Sequence, residues 1–348
     1  MKHIRITTAD YENCREALIN FKNANRSVKQ DALYFDWRYK ERPNNGHKPV
    51  IIWAETAQGE KIGSCSFIPH HFMVDDTVNA VGVLGDISVA KEWRGKGIAQ
   101  QMFTYFSKTE SARKFNFCFV LPNEGAFRPL KKTGWHTISK LDRYVKINNT
   151  IYFRRIVPDR LKNICMYAFN LLNSLFYENH VKKKKTFNVE LLNEFDERFN
   201  GLWQQFEKSG KILALRNKEY LSWRYLKHQS IKYKIFALTD DFKLCGYMVY
   251  HLQQEQCFID DFLIRPGTKY ARILLSYFLQ YIKKDTSIGI INLKANNTAL
   301  IDFSLWKFGF IKRKDFQCAM VAPGELSEQK EYLLNEENWL LTAGDKDV

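Results

Sequence analysis

The stretch VAKEWRGKGIAQQMF, Val89 to Phe103, decides the fold. Ile98, Met102 and Phe106 recur at i, i+4 and i+8, and Ala99 and Phe103 widen that stripe, the pattern of an amphipathic helix. Just before it, AVGVLGDISVA, residues 80–90, is short and rich in Val, Leu and Ile, as a buried strand is. The order is therefore strand, tight turn, helix. The first turn of a helix offers unpaired N–H groups and the positive end of the macrodipole. Glycines there let a ligand approach the backbone. Gly95 and Gly97, flanked by Arg94 and Lys96, read as an anion cradle, with phosphate the expected ligand. Taken alone, a surface turn with charged neighbours reads the same way.

The P-loop spacing is absent here, and the dinucleotide fingerprint G-x-G-x-x-G fails at Gln100. What fits is R-x-x-G-x-A, supplied by Arg94, Gly97 and Ala99. Further on, NEGAFRPLKKTGW supplies Asn123, Ala126, Leu130, Lys132, Gly134 and Trp135. With both motifs in order, the sequence resembles the GNAT superfamily, the Gcn5-related N-acetyltransferases. That family writes its acetyl-CoA pyrophosphate loop [QR]-x-x-G-x-[GA] and its second motif N-x-x-A-x-x-x-Y-x-K-x-G-[FY]. The departure is at the tyrosine, where Leu130 stands.

A search for internal repeats finds one. Trp37-Arg38-Tyr39 and Trp223-Arg224-Tyr225 are each followed by an apolar run, a polar turn and a glycine. Beyond them two copies align without a gap at an offset of 175: Asp86 with Asp261, Ile98 with Ile273, Phe103 with Phe278, Gly134 with Gly309. The copies part at the cradle, where Arg94, Gly95 and Gly97 become Lys269, Tyr270 and Arg272. An arginine at the Gly97 position would fill a pyrophosphate's space. The expected class is α/β, of the α+β GNAT-like kind: two tandem GNAT-like domains, each a mixed, mostly antiparallel sheet flanked by helices. The expected spans are 1–150 for the acetyl-CoA-binding catalytic copy, 151–185 for a linker helix, and 186–348 for a copy lacking the pyrophosphate loop.

The linker, residues 152–185, starts basic, continues as an apolar helical pattern and ends in four lysines. One reading is a helix buried between the domains. The other is an interfacial membrane helix, giving peripheral contact with a membrane and suiting a lipid-linked acceptor.

Length and charge agree with this organisation. A chain of 348 residues suits two domains. Its net charge of +15 favours anionic partners: CoA phosphates, nucleic acid or an anionic membrane. Seven scattered cysteines with no C-x-x-C give neither a zinc site nor a disulfide framework, so no metal is expected. No signal-peptide core and no apolar run long enough to span a bilayer is visible, so the chain reads as cytoplasmic and reduced.

The resemblance implies transfer of an acetyl group from acetyl-CoA to an amine. On that precedent the backbone of Ile87, Ser88, Val89 and Ala90 holds the pantetheine arm. The N–H groups of Gly95, Lys96, Gly97, Ile98 and Ala99 hold the pyrophosphate, with charge from Arg94 and Lys96. Asn123 bonds the cofactor or water, or closes an Asx turn. Asp86 on the site strand is the first candidate base, or a structural carboxylate; His70 and His71 are the second. With leucine at 130, the thiolate leaves unassisted or takes its proton from Tyr105 or Tyr39. Tyr34, Trp37 and Arg38 are candidates for the acceptor pocket, although Trp37 also reads as core. The tail NWLLTAGDKDV folds back over the acceptor site or frays. Tandem GNAT-like chains of this kind are familiar among bacterial small-molecule and surface-polysaccharide enzymes, which makes an amino sugar or a nucleotide- or lipid-linked sugar the expected acceptor. The alternatives are a Fem-like aminoacyl-tRNA transferase, which the basic charge would suit, and a CoA-binding module without turnover. The intact cradle favours CoA over tRNA, so no nucleic-acid partner is expected.

Overall fold

The structure is a computed structural model that describes residues 4–346 except 44–45, 153–156, 177–186, 207–208, 267, 301 and 325–328. The quoted stretch folds as its pattern requires. The first half runs β1 (Ile4–Asp10), α1 (Tyr11–Ala24), α2 (Ala32–Tyr39), β2 (Val50–Thr56), β3 (Lys61–Asp75), β4 (Thr77–Val89), α3 (Ile98–Ser107), β5 (Phe117–Val120), α4 (Glu124–Lys132), β6 (His136–Lys140) and β7 (Asp142–Ile147). After α5 (Asp159–Ser174) the second half repeats the order: β8 (Phe187–Leu192), α6 (Glu197–Gln204), β9 (Lys211–Ala214), α7 (Lys218–Leu221), β10 (Tyr233–Asp240), β11 (Lys243–Gln253), β12 (Gln256–Ile264), α8 (Thr268–Ile282), β13 (Ile290–Ala295), α9 (Asn297–Leu300), β14 (Ile311–Arg313), β15 (Cys318–Pro323) and α10 (Lys330–Leu334).

Two mixed sheets result. The first has the order β1-β2-β3-β4-β5-β15-β6, with β9 added on the end of β3; the second reads β8-β10-β11-β12-β13-β7-β14. Position by position these are one topology, and each sheet borrows one strand. β7 leaves its own half to lie between β13 and β14, and β15 returns to lie between β5 and β6. The expected boundaries at 150 and 186 therefore do not separate two self-contained sheets. Sequence similarity reports which strands are equivalent and carries nothing about which copy each pairs with.

The halves meet at the repeated Trp-Arg-Tyr. Asp31 caps α2 by accepting from the Tyr34 N–H, and Asn217 caps α7 by accepting from the Tyr220 N–H. These equivalent caps aim the two tryptophans at each other. Trp37 Nε1 donates to the Trp223 carbonyl at 2.9 Å, Trp223 Nε1 donates to the Trp37 carbonyl at 2.8 Å, and the rings stack 5.0 Å apart. One continuous core of aromatic and aliphatic side chains from both halves surrounds them.

The linker helix forms as α5, but burial between the halves is not what it shows. Leu161, Ile164, Leu171 and Leu175 are 49%, 66%, 59% and 70% exposed. Beyond α5, Phe176 packs over Gly309, and the Lys146 ammonium lies 4.1 Å from its ring. Arg154, Arg155 and Lys182 to Lys185 lie outside the described residues. The described part of the tail is packed: Trp339, Leu341 and Thr342 are buried.

Candidate functional site

β4 and β5 pair in parallel over three residues, Val81 with Phe117 to Val83 with Phe119, and then part. Leu84 to Val89 run on, and among the described residues β3 is the one strand paired with them. In this free stretch β4 bulges. Ser64 faces Ser88 and Ser66 faces Gly85, so Asp86 and Ile87 together oppose Cys65. Asp86 takes the left-handed conformation at φ +50°, which its short polar side chain tolerates.

Ala90 then donates to the Ile62 carbonyl, and the chain turns through Arg94 to Gly97. Gly95 and Gly97 are left-handed at φ +76° and +77°, where other L residues are strained. A side chain at Gly95 would meet nothing within 4 Å, so the backbone there borders open space. Gly97 is the N-cap of α3 and has no side chain with which to cap it, so the first-turn N–H groups keep their donors for something else. Arg94 Nε donates to the Val89 carbonyl at 3.0 Å and braces the turn, while the Lys96 ammonium sits 5.0 Å from the Trp93 ring. The residues expected at the pantetheine edge, Ile87 to Ala90, and at the cradle, Arg94 to Ala99, are exposed or half-buried apart from Ile98, which is buried in the core.

Asp86 is held from four sides. Its carboxylate accepts from Arg26 at 3.0 Å and Tyr39 at 2.5 Å, and pairs with Arg38 Nε at 3.1 Å. Its backbone carbonyl accepts from the buried Lys22 ammonium, which also donates to the Ser64 carbonyl at 3.2 Å. Burial opposes the charge on Asp86, but Arg38, Lys22 and Arg26 outweigh it and hold the pKa down at about 2. Burial pulls Lys22 down to about 8 and pushes the Tyr39 phenol well above its usual range. Lys22 and Arg26 escaped the sequence reading because lysine and arginine read as surface. The available signal was position: Lys22 falls four residues after Leu18 on the buried face of α1.

The other candidates separate. His70 and His71 pair with Val81 and Ala80, further along β3 than the bulge and where β4 still lies beside β5 or precedes it. His70 stacks 4.5 Å from Tyr220, and His71 lies 6.2 Å from His47. Burial first, then Arg42 for His70 and His47 for His71, lowers both pKa values. Tyr105, on α3, is half-buried against the core that Ile98, Met102 and Leu130 share, and is not among the groups that hold Asp86. Asn123 spends its side-chain oxygen capping α4, accepting from the Ala126 N–H at 3.0 Å. Leu130 is fully buried in the core shared with Ile98 and Met102. Trp37 is core and Tyr34 nearly so, leaving Arg38 as the member of that trio that touches Asp86. A cavity of about 800 Å³ lined by Phe103, Phe106, Phe115 and Trp135 lies below α3; none of the cradle residues lines it.

The second half treats the same places differently. α8 begins at Thr268, whereas the offset of 175 would start it at Ile273, so a turn of helix replaces the loop. Arg272 sits inside that helix and donates to the Ser304 hydroxyl at 2.9 Å, which is not the space-filling role its alignment with Gly97 suggested. Asp261 accepts from Arg216 at 3.0 Å and from Thr342 at 2.8 Å.

A parted pair of strands with a bulge, a glycine turn and an uncapped helix start define a GNAT-type fold, and comparison with known proteins agrees. Residues 11–135 match the model of the Acetyltransferase (GNAT) family. No curated protein sequence matches significantly. Among solved structures, a GCN5-related N-acetyltransferase from Anabaena variabilis is 13% identical, with 93% of this chain and 74% of that one covered and a TM-score of 0.64. A conserved protein from Enterococcus faecalis, described as a probable N-acyltransferase, is 11% identical over 94% and 74%, with a TM-score of 0.66. Saccharomyces cerevisiae N-myristoyltransferase, solved with bound myristoyl-CoA, is 13% identical over 92% and 80%, at 0.59. At these identities the likeness is one of fold, and it extends over both sheets.

Proposed function

We propose that the chain is a CoA-dependent N-acyltransferase whose first half holds acyl-CoA and whose second half does not. The observation that carries this is the bare turn Arg94–Gly97 ahead of an uncapped α3, at the end of the free edge of β4. The pyrophosphate accepts from the first-turn N–H groups, with Arg94 and Lys96 adding charge. The pantetheine arm pairs along Ile87 to Ala90. In the reaction the amine nitrogen attacks the thioester carbonyl carbon, the C–S bond breaks, and the thiolate takes up a proton as the amine loses one.

Asp86 is a poor proton acceptor at a pKa of about 2, so its role is to fix charge and position. As a permanent carboxylate it gathers Lys22, Arg26, Arg38 and Tyr39 beside the bulge. The amine proton then passes to water. A thiolate is already an adequate leaving group near neutral pH, which makes a tyrosine at position 130 dispensable. We place a primary amine as acceptor, with amino sugars and nucleotide- or lipid-linked sugars heading the panel to be tried. Thiol release from acetyl-CoA across that panel, beside equilibrium binding of acetyl-CoA, tests the reading. Absence of acetyl-CoA binding sinks it, and binding without thiol release leaves a CoA-binding module.

The exposed apolar row of α5 favours a second element, contact with an anionic membrane. Leu161, Ile164, Leu171 and Leu175 face outward on a segment whose sequence is basic at both ends. Co-sedimentation with phosphatidylserine vesicles tests it: binding that weakens with salt and is lost when these four become serine supports the contact, and no binding rejects it.

A further inference from the structure

The second half keeps a cleft of its own. β12 and β13 pair in parallel from Gln256 with Ile290 to Ile259 with Leu293 and then part, as β4 and β5 do. Into the gap comes the tail of the chain. Ala295 bridges to Thr342, the Asn296 N–H donates to the Leu341 carbonyl at 3.0 Å, and the Thr342 hydroxyl donates to Asp261 on the other side. The tail closes the strand edge but leaves a cavity of about 500 Å³ beside it. Part of its wall is Phe262 to Pro266 with Thr298, Ala299, Asp302 and Phe303, which the offset of 175 maps onto Ile87 to Lys91 and onto Asn123, Glu124, Phe127 and Arg128. The cavity therefore stands where the first half has its acyl-CoA surface, with the pyrophosphate turn replaced by helix.

The lining is apolar in the interior and charged at the rim. Phe206, Leu213, Phe262, Phe303 and Leu340 form the body. Arg265 and Lys211 stand at the rim with Asp302 as the opposing charge. Arg265 is exposed and its guanidinium lies 5.7 Å from the Tyr270 ring, while the Lys211 ammonium donates to the Glu337 carbonyl at 2.9 Å. Arg216 beneath is already neutralised, with Asp261 at 3.0 Å and Asp345 at 2.9 Å. The Ser209 hydroxyl, also in the lining, is buried and finds no hydrogen-bond partner among the described residues. An apolar pocket with a few convergent polar groups is what small-molecule sites are built from.

We propose that this cavity is a second ligand site, separate from the acyl-CoA surface, for a small amphipathic anion with an aliphatic body and a carboxylate-like head. The body displaces water from the phenylalanine and leucine walls, and the head meets Arg265 and the Ser209 hydroxyl. No pyrophosphate can be held there, because α8 has taken the turn that would hold it, so the site takes a chain and not a CoA ester.

Calorimetry on the full chain with sodium decanoate, decylamine and acetyl-CoA as separate probes tests this. Decanoate is expected to bind more tightly than decylamine. Ala299→Trp, which fills the cavity from α9, is expected to weaken decanoate about tenfold or more while leaving acetyl-CoA binding unchanged. Arg265→Glu is expected to weaken it by about threefold, the scale of one exposed charge. Gly97→Arg is expected to leave decanoate binding intact, so failure here and failure of the acyltransferase reading are distinguishable. The proposal is overturned if wild-type protein binds no decanoate, if decylamine binds as well as decanoate, or if Ala299→Trp, shown by circular dichroism to be folded, binds decanoate at wild-type strength.

Discussion

The two clefts start from the same architecture and end differently. In each half a parallel pair of strands parts after a few residues, with an aspartate near the point of parting. In the first half the strand edge runs on into a glycine turn and an uncapped helix. In the second, residues 339–345 lie against the edge and the turn has become helix. Substrate groups and the chain's own tail satisfy backbone donors and acceptors equally well, so one fold can keep a ligand surface or close it on itself. The difference lies in a few residues of loop and in where the tail goes.

The largest effect is expected from the turn. Gly97→Arg forces a non-glycine residue to φ +77° and puts a long side chain at the mouth of α3. Losing two charge-assisted contacts at ~1.5–3 kcal/mol each weakens acetyl-CoA by roughly two to four decades. Arg272→Gly in the second half restores nothing, because position 272 is inside α8. Calorimetry on both variants, with circular dichroism for folding, decides it. Wild-type affinity in Gly97→Arg would remove the cradle as the cofactor site.

The next effect bears on the junction. Trp37 and Trp223 are equivalent in contact, each donating to the other's carbonyl, so Trp37→Ala and Trp223→Ala should cost similar stability, ~3–5 kcal/mol each. The double variant should cost less than the sum, since either change breaks the stack. Denaturant unfolding measures this cycle. Additive losses would mean that the two halves are held together elsewhere.

A third pair separates structure from chemistry. Asp86→Asn removes the carboxylate that Lys22, Arg26 and Arg38 share, and Asp261→Asn takes one from Arg216, although Asp345 remains beside it. Removing one member of a buried ion cluster costs ~3–5 kcal/mol, less where another carboxylate stands by. Both variants should lose stability, with Asp86→Asn losing more. Acyl transfer should fall only with Asp86→Asn, through kcat and without a new ionisation in its pH profile. An acid limb that disappears in Asp86→Asn would make Asp86 the base after all.

What was legible beforehand follows from what sequence encodes locally. The strand, the turn and α3 were readable because periodicity and glycine placement are properties of adjacent residues. The repeat was readable because it repeats. The exchange of β7 and β15 was not, since strand pairing is set by distant partners that leave no periodic trace. Lys22 and Arg26 were missed because residue type outvoted position. Asn123, His71 and Tyr105 drew attention by their chemistry: the cap that Asn123 makes was one of its two readings, while the places of His71 on β3 and of Tyr105 against a core depend on the fold.

The smallest expected effect uses a difference between the aspartate clusters that titrates in mild alkali. Asp86 is served by a lysine with a pKa of about 8, lowered from 10.5 by burial, whereas Asp261 is served by an arginine. Between pH 8 and 10.5 the unfolded chain keeps the Lys22 proton that the folded chain has released, so this group makes stability rise with pH across that window. The slope at its steepest is about 1.4 kcal/mol per pH unit. Buried thiols oppose it: Cys65 and Cys118 are raised from 9.0 to about 12, so they lower stability as pH rises above 9. The measurement is therefore a difference. Unfolding free energy of wild type minus that of Lys22→Met, taken from pH 7.5 to 9.5, should climb with pH and cancel the thiols. A flat difference would mean that Lys22 keeps its proton throughout, bound tightly enough to the Asp86 and Ser64 carbonyls to offset its burial.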